Sequence, residues 1–240
     1  HVVTSNGAGC QYCFYCKRDQ DNLCEGMEEN FGEYVQMGGG FAQYINVTAP
    51  IVKANLTVVP DDVPFEQAAM VEPLSVALHG VNKADLKIGD TLCIIGAGPM
   101  GLLQTQLAKM RGARVIMLEN AENRLAKARE LGADVTLCPR EEPDIVAKVH
   151  ELANDGRGPD SVIEAVGQPA TWELAVNLVR KGGTVVEYGG CAKGTTFTVD
   201  TVRLHYDEIT IRGSYSASAY ETEVAAALIS RNQIRSGDYV

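Results

Sequence analysis

Four cysteines fall within fifteen positions, as Cys10-x2-Cys13-x2-Cys16-x7-Cys24. Thiolates at this spacing can close a tetrahedral zinc site that leaves no position for water, so its task is to hold a loop together rather than to do chemistry. An iron–sulfur cluster is the rival, since ferredoxins also use C-x2-C-x2-C, but their fourth cysteine comes sooner and precedes proline. Here Cys24 comes late and precedes Glu25, which favours zinc. Cys93, Cys138 and Cys191 are scattered and read as small core or near-core residues.

The second constellation is Gly96-Ala97-Gly98-Pro99-Met100-Gly101. Alone, G-x-G-x-x-G is a weak signal. Here the apolar run Thr91–Ile95 precedes it, and Leu102, Leu103, Leu107 and Met110 follow at helical spacing. A second run, Arg114–Leu118, ends in Glu119, 23 residues after Gly96. In that context the pattern binds a dinucleotide. Gly96 makes the tight turn, Gly98 admits the pyrophosphate, and Gly101 lets the helix pack on the sheet. Pro99 and Met100 open a helix whose free N–H groups face the phosphates. Glu119 is expected to accept hydrogen bonds from the adenosine ribose and to repel a 2′-phosphate, which predicts NAD rather than NADP. Arg124, five residues on, can reach toward the adenosine.

A third candidate is Glu72, a carboxylate just before the helix-breaking Pro73 on an otherwise apolar helical stretch. Its alternative is a plain helix-surface acid. His79 lies seven residues on, on the same helical face, and is expected to be a satisfied structural histidine.

The elements that must position these residues follow from periodicity. Residues 1–60 are rich in Gly, Cys, Asn and aromatics, with strand-like pieces at Phe41–Val47 and Leu56–Val59 and an interruption at Gly38-Gly39-Gly40. A helix is expected from Pro64, broken just after Glu72 by Pro73. Beyond residue 85 strands and helices alternate. Strands are predicted at Thr91–Ile95, Arg114–Leu118, Val135–Leu137, Ser161–Val166, Thr184–Tyr188 and Glu208–Gly213. Helices are predicted at Leu102–Met110, Leu125–Leu131, Ile145–Leu152, Thr171–Val179 and Ala219–Ile229. This alternation predicts an α/β fold, a doubly wound Rossmann sheet, preceded by a smaller β region with the cysteine lobe. The expected boundary separates residues 1–72 from residues 73–240. Ligands of such sheets bind at the carboxyl ends of the strands, which adds Val166, Gly167, Tyr188, Gly189 and Ser214 to the cofactor candidates.

Composition limits the function classes. A chain with 45% hydrophobic and 22% charged residues is neither disordered nor collagenous. A net charge of −10 is a poor match to nucleic acid or an anionic membrane surface, and disfavours a zinc-ribbon nucleic-acid binder. No apolar run reaches bilayer-spanning length, and no basic segment followed by an apolar one opens the chain. A cytoplasmic protein without nucleic-acid or membrane partners is expected.

Taken in order, the cysteine lobe, Gly40-Phe41-Ala42-Gln43-Tyr44, Glu72-Pro73-Leu74-Ser75-Val76-Ala77-Leu78-His79 and the glycine turn resemble the zinc-dependent medium-chain alcohol dehydrogenases. The E-P-L-x-V-A-L-H segment is most similar to the polyol (sorbitol) branch, and the likeness runs from near residue 2 to near residue 240. It implies a GroES-like domain, here partial, and hydride transfer between NAD and a secondary alcohol or polyol. It also implies a homo-oligomer, dimer or tetramer. Cys10, Cys13, Cys16 and Cys24 would hold the structural zinc, and Glu72 would lie at the catalytic zinc as a direct or water-bridged ligand. The catalytic cysteine and histidine of that family come from a segment upstream of the lobe. The histidines here are His1, His79, His150 and His205, and none sits in G-H-E. The resemblance thus implies a portion of a dehydrogenase without the family's N-terminal and C-terminal segments, with a catalytic zinc only where the absent ligands are supplied. The alternative is a non-catalytic dinucleotide-binding or structural module.

Overall fold

The computed structural model describes residues 1–4, 9–26 and 40–239, and it divides into two compact units, His1–His79 with Tyr215–Val240, and Gly80–Ser214. Gly38 and Gly39 lie outside the described residues. The division corrects the expected boundary. It falls after His79 rather than after residue 72, and the C-terminal residues from Tyr215 group with the N-terminal unit instead of the sheet.

The sheet unit carries β3 (Thr91–Ile95), α4 (Pro99–Met110), β4 (Arg114–Leu118), α5 (Glu122–Glu130), β5 (Val135–Leu137) and α6 (Ile145–Glu151). These are followed by β6 (Ser161–Glu164), α7 (Pro169–Leu178), β7 (Thr184–Glu187), α8 (Thr201–His205) and β8 (Thr210–Gly213). The six strands are all parallel, in the order β5-β4-β3-β6-β7-β8. That is the doubly wound order, and it reverses between β3 and β6, where a crevice opens at the strand ends. Strand β3 is buried over its whole length, as a central strand covered on both faces must be. On one face, Cys93, Ile95, Ile116, Leu118, Val162 and Val185 pack with Val149 of α6 and Ala175, Val176 and Leu178 of α7.

The free carbonyls at the end of α7 are closed by side chains from other elements. Arg203 Nη2 donates to the carbonyls of Val176 and Val179 at 2.9 and 2.6 Å, and His150 Nε2 donates to Leu178 at 2.9 Å. A buried helix end needs such partners. Four basic side chains and His150 line a cavity of about 670 Å³ there, and helix capping and ion pairing account for them.

The other unit holds β1 (Val2–Thr4) paired antiparallel with β2 (Leu56–Val58), α1 (Ala49–Asn55), α2 (Phe65–Ala68), most of α3 (Val71–Lys83) and α9 (Ala219–Ser230). Two sequence expectations fail here. Residues 41–47 form no regular strand. Phe41 and Tyr44 stand almost fully exposed, and no neighbouring strand pairs with them among the described residues. The helix break also falls earlier than Pro73, at Ala69–Met70. Pro73 becomes the third residue of α3, where its missing N–H is one of those a helix start leaves unpaired anyway. In the sheet unit, β6 and β7 stop at Glu164 and Glu187, short of the predicted Val166 and Tyr188. No helix of the described residues is long and apolar enough to cross a membrane.

Candidate functional sites: a cysteine lobe and a dinucleotide crevice

The four thiols of the lobe converge. All Sγ atoms lie within 4.8 Å of one another, with Cys10 to Cys16 and Cys13 to Cys24 at 4.0 Å. Four sulfurs about 2.3 Å from one tetrahedral ion stand about 3.8 Å apart, so the residues fit zinc once the side chains draw in slightly. Backbone N–H groups already point at the sulfurs. The amides of Cys10, Cys13 and Cys16 donate to Cys24, Cys10 and Cys13 at 3.3, 3.3 and 3.5 Å. The amides of Cys16 and Glu25 pull the Cys13 thiol down to about 6, whereas burial pushes Cys16 up to about 12 and raises Cys24. Among the described residues this is the one place where three or more His, Cys, Asp or Glu side chains gather at metal-binding range. Glu72 gathers no such partners. It is exposed as a residue, while partial shielding of its carboxyl raises that group above the usual carboxylate range. His79 Nδ1 faces Glu221 Oε2 at 2.8 Å and Oε1 at 3.1 Å in a buried pair, as expected of a structural histidine.

In the sheet unit, the glycine turn has the form its sequence predicts. Gly96 has φ +103°, a conformation that a side chain disfavours. Gly98 is the N-cap of α4 with open space where a Cβ would stand, and Pro99 is the first helical residue. At Gly101 a Cβ would run into the carbonyl oxygen of Gly96. The N–H groups of Met100 and Gly101 have no acceptor within their own helix, which makes the start of α4 a place for phosphate.

Glu119 follows β4 and closes on this turn. Its Oε2 accepts the Ala97 amide at 3.1 Å, and its Oε1 accepts those of Asn120 and Ala121 at 2.7 and 3.1 Å. Burial pushes the carboxyl up, but the three amides and then Arg124 outweigh it and hold it below its ordinary range. Glu119 is thus a fixed anion beside the turn. Arg124 Nη1 lies 3.5 Å from it and is mostly exposed, so its first partner is Glu119 itself.

The remaining candidates come together at the ends of β6, β7 and β8. Gly167 has φ +86° and packs directly on Gly189, whose Cβ would overlap the Gly167 amide. The Trp172 indole donates to the Gly189 carbonyl at 3.0 Å. Tyr188 packs over Gly80, beside Gln104. Val166 is half exposed at this edge. The Ser214 amide donates to the Glu187 carbonyl at 3.2 Å, and its Oγ is buried without a hydrogen-bond partner.

Two acids at this edge were missed by sequence reasoning. Glu164 and Glu187 are register partners, each the last residue of its strand and each buried. Glu164 accepts the amides of Val166 and Gly167 at 2.8 and 3.0 Å. Neither Glu187 oxygen has a hydrogen-bond partner among the described residues, and burial first, then the Glu164 charge, pushes its carboxyl up to about 8. The available signal was an acid ending each of two apolar runs, Ser161–Glu164 and Thr184–Glu187.

Residues 99–231 match the family profile described as zinc-binding dehydrogenase. D-arabinitol dehydrogenase 1 of Uromyces fabae is 35% identical over 219 residues, covering 90% of this chain and 60% of the relative. The chain therefore spans 60% of that protein's length. An alcohol dehydrogenase from Thermus sp. ATN1 superposes with a TM-score of 0.86 at 29% identity, over 99% of this chain and 68% of that one. A zinc-binding dehydrogenase structure from Sinorhizobium meliloti 1021, bound to NADP, superposes with a TM-score of 0.85 at 29% identity, over 98% and 66%.

Two outcomes are expected. Zinc should bind the lobe at about one ion per chain, be lost in Cys13→Ser, and bind more tightly as pH rises, because the thiols release protons on coordination. Metal analysis at pH 6 and 8 checks this, and iron with labile sulfide would contradict it. Because the Glu187 carboxyl is raised in the fold, its contribution is most favourable below the ordinary carboxylate range and is lost as pH climbs toward about 8. Glu187→Gln should therefore flatten the fall in thermal stability between pH 5 and 8.5. An unchanged slope would mean the carboxyl is ionised throughout.

Proposed function

We propose, from the premise that this chain belongs to the zinc-binding dehydrogenases, that its parent protein transfers hydride between NAD and a secondary alcohol or polyol. The observation that carries the cofactor half of this reading is Glu119. It is an anion fixed by three backbone amides beside the open glycine turn, one of them the turn's own Ala97. Such a carboxylate receives ribose hydroxyls and repels a 2′-phosphate. Asn120 adds no positive charge, and Arg124 is already directed at Glu119. The NADP held by the Sinorhizobium meliloti structure makes this choice a point to test rather than one to inherit. Gly98, Pro99, Met100 and Gly101 would receive the pyrophosphate. Val166, Gly167, Tyr188, Gly189 and Ser214, at the ends of the strands beyond the switch point, would line the nicotinamide end.

The polyol half rests on the Glu72–His79 segment and on relatives such as the arabinitol dehydrogenase. A catalytic zinc, when bound, supplies Lewis acidity that eases loss of the alcohol proton. Glu72 would contribute to holding it, with further ligands from outside the described residues, since none gather around Glu72 here. The partly shielded Glu72 carboxyl can also take up a proton more readily than an ordinary surface acid. The free thiols of the lobe need a reducing compartment to stay available for metal, which supports a cytoplasmic setting.

Calorimetry with NAD and NADP tests the reading. NAD should bind the chain more tightly, and Glu119→Ala should weaken NAD by about tenfold or more while leaving NADP unchanged or improved. Equal affinities in the parent chain would contradict it. Residues 1–240 alone should bind NAD yet oxidise no polyol above background. Zinc-dependent turnover abolished by Glu72→Ala would show instead that the metal site assembles from these residues.

A further inference from the structure

The start of α9 is held from two directions. Asp21 belongs to the cysteine lobe, where its carbonyl accepts the Cys24 amide at 3.1 Å. Its carboxylate leaves the lobe, and Oδ2 accepts the amide of Ala219, the first residue of α9, at 2.9 Å. Asn22 Nδ2 reinforces this by donating to the Tyr215 carbonyl at 2.9 Å. On the other side stands a capping box. The Glu221 amide donates to Ser218 Oγ at 3.2 Å, while Glu221 Oε2 accepts the Ser218 amide at 2.9 Å and its hydroxyl at 3.0 Å.

A capping box needs only the helix end and works at an exposed surface. Glu221 does more. It is 6% exposed, and its two oxygens also take the Nδ1 of His79 on α3, itself 8% exposed. A carboxylate can only accept, so the histidine carries its proton on Nδ1. The same α3 bears Glu72, seven residues before His79, or about 10 Å along a stiff helix. A buried polar side chain with these contacts is expensive to disturb, because a contact left unmade is not replaced by water.

We infer that the cysteine lobe and α3 are joined through the first turn of α9. Glu221 is the positioning residue for α3, and Asp21 is the residue that ties it to the lobe. The link stands on the hydrogen bonds alone. Its bearing on catalysis rests on the proposed role of Glu72. Loss of order in the lobe then frees the Ala219 amide, loosens the Ser218–Glu221 turn, and releases the His79 clamp that fixes the register of α3. By reciprocity, loosening the clamp weakens the lobe's hold on its metal.

Amide hydrogen exchange on the zinc-loaded chain tests this. Asp21→Ala should speed exchange in the first turn of α9 and in α3 around His79 by about tenfold, the effect of one lost charge-assisted hydrogen bond. Asp21→Asn, whose side-chain oxygen can still accept the Ala219 amide, should restore most of the protection. Cys13→Ser should reproduce the Asp21→Ala pattern in the same two segments, with α4 unchanged. Should Asp21→Ala fail to fold, Glu221→Gln reads the link from the other end, and zinc release to a chromophoric chelator should quicken several-fold. Exchange that rises only in the lobe and α9, with α3 unchanged, would reduce Glu221 to a local cap and overturn the inference. So would zinc release unaltered by Glu221→Gln. A chain that takes up no zinc but still shows the Asp21→Ala pattern would refute the zinc reading and leave the link standing.

Discussion

The approach of Gly101 to the carbonyl of Gly96 leaves no room for a side chain between α4 and the turn after β3. The candidate dinucleotide crevice depends on that contact. It brings the helix start down onto the strand end, so the free N–H groups of the first helical turn open beside the switch point instead of into bulk water. Glu119 then clamps the turn from the neighbouring strand by accepting the Ala97 amide. The turn is fixed from the helix side by shape and from the strand side by charge. The acid that would select the ribose thus also holds one amide of the turn, while the Gly96–Gly101 contact fixes the turn's shape independently of it.

Glu164 and Glu187 show how little of a residue's behaviour lies in its type. They are partners in adjacent strands and both are buried. Glu164 accepts the amides of the loop after β6. Glu187 finds no donor, and its neighbour is an anion. Two carboxylates this close, with one set of donors between them, do not both ionise readily at neutral pH. This end of the strands therefore holds an acid, Glu187, that retains its proton toward about pH 8. The packing of Gly167 on Gly189 fixes the two loops above them.

How much of this was legible in the sequence depended on the range of the interaction involved. Strands β3 and β4 fall where apolar runs place them, because a buried parallel strand announces itself in its own residues. The glycine turn and the four thiols were readable for the same reason, since their geometry is set within a few positions. Most of what failed needed a partner from far along the chain. The run 41–47 has strand-like residues but no neighbouring strand among the described residues, and β-structure is a property of a pair. Pro73 was read as a breaker from its chemistry. Its tolerance follows from a helix start two residues before it. The His79–Glu221 pair spans 142 positions, and nothing local to either residue predicts the other. The same holds for the grouping of residues beyond Tyr215 with the N-terminal unit.

The lobe illustrates the opposite economy. Of its four cysteines only Cys24 is buried, and the segment has few apolar side chains to hide, so hydrophobic burial cannot hold it. Its order comes from backbone amides directed at sulfur and from the tie that Asp21 makes to α9. Amides aimed at a sulfur favour the thiolate, the form a metal needs, and Cys13 responds accordingly while the more shielded Cys16 resists. Part of the work of assembling a tetrathiolate is thus already built into the chain's hydrogen bonding. The remainder is removing protons from the shielded sulfurs, which coordination itself drives. Cys93 is the contrast within the same chain. It is wholly buried in the sheet with its thiol pushed up by that burial, and it serves packing alone. What separates these sulfurs from Cys93 is the donors around them, which the spacing of Cys10, Cys13, Cys16 and Cys24 supplies and an isolated cysteine on a strand does not.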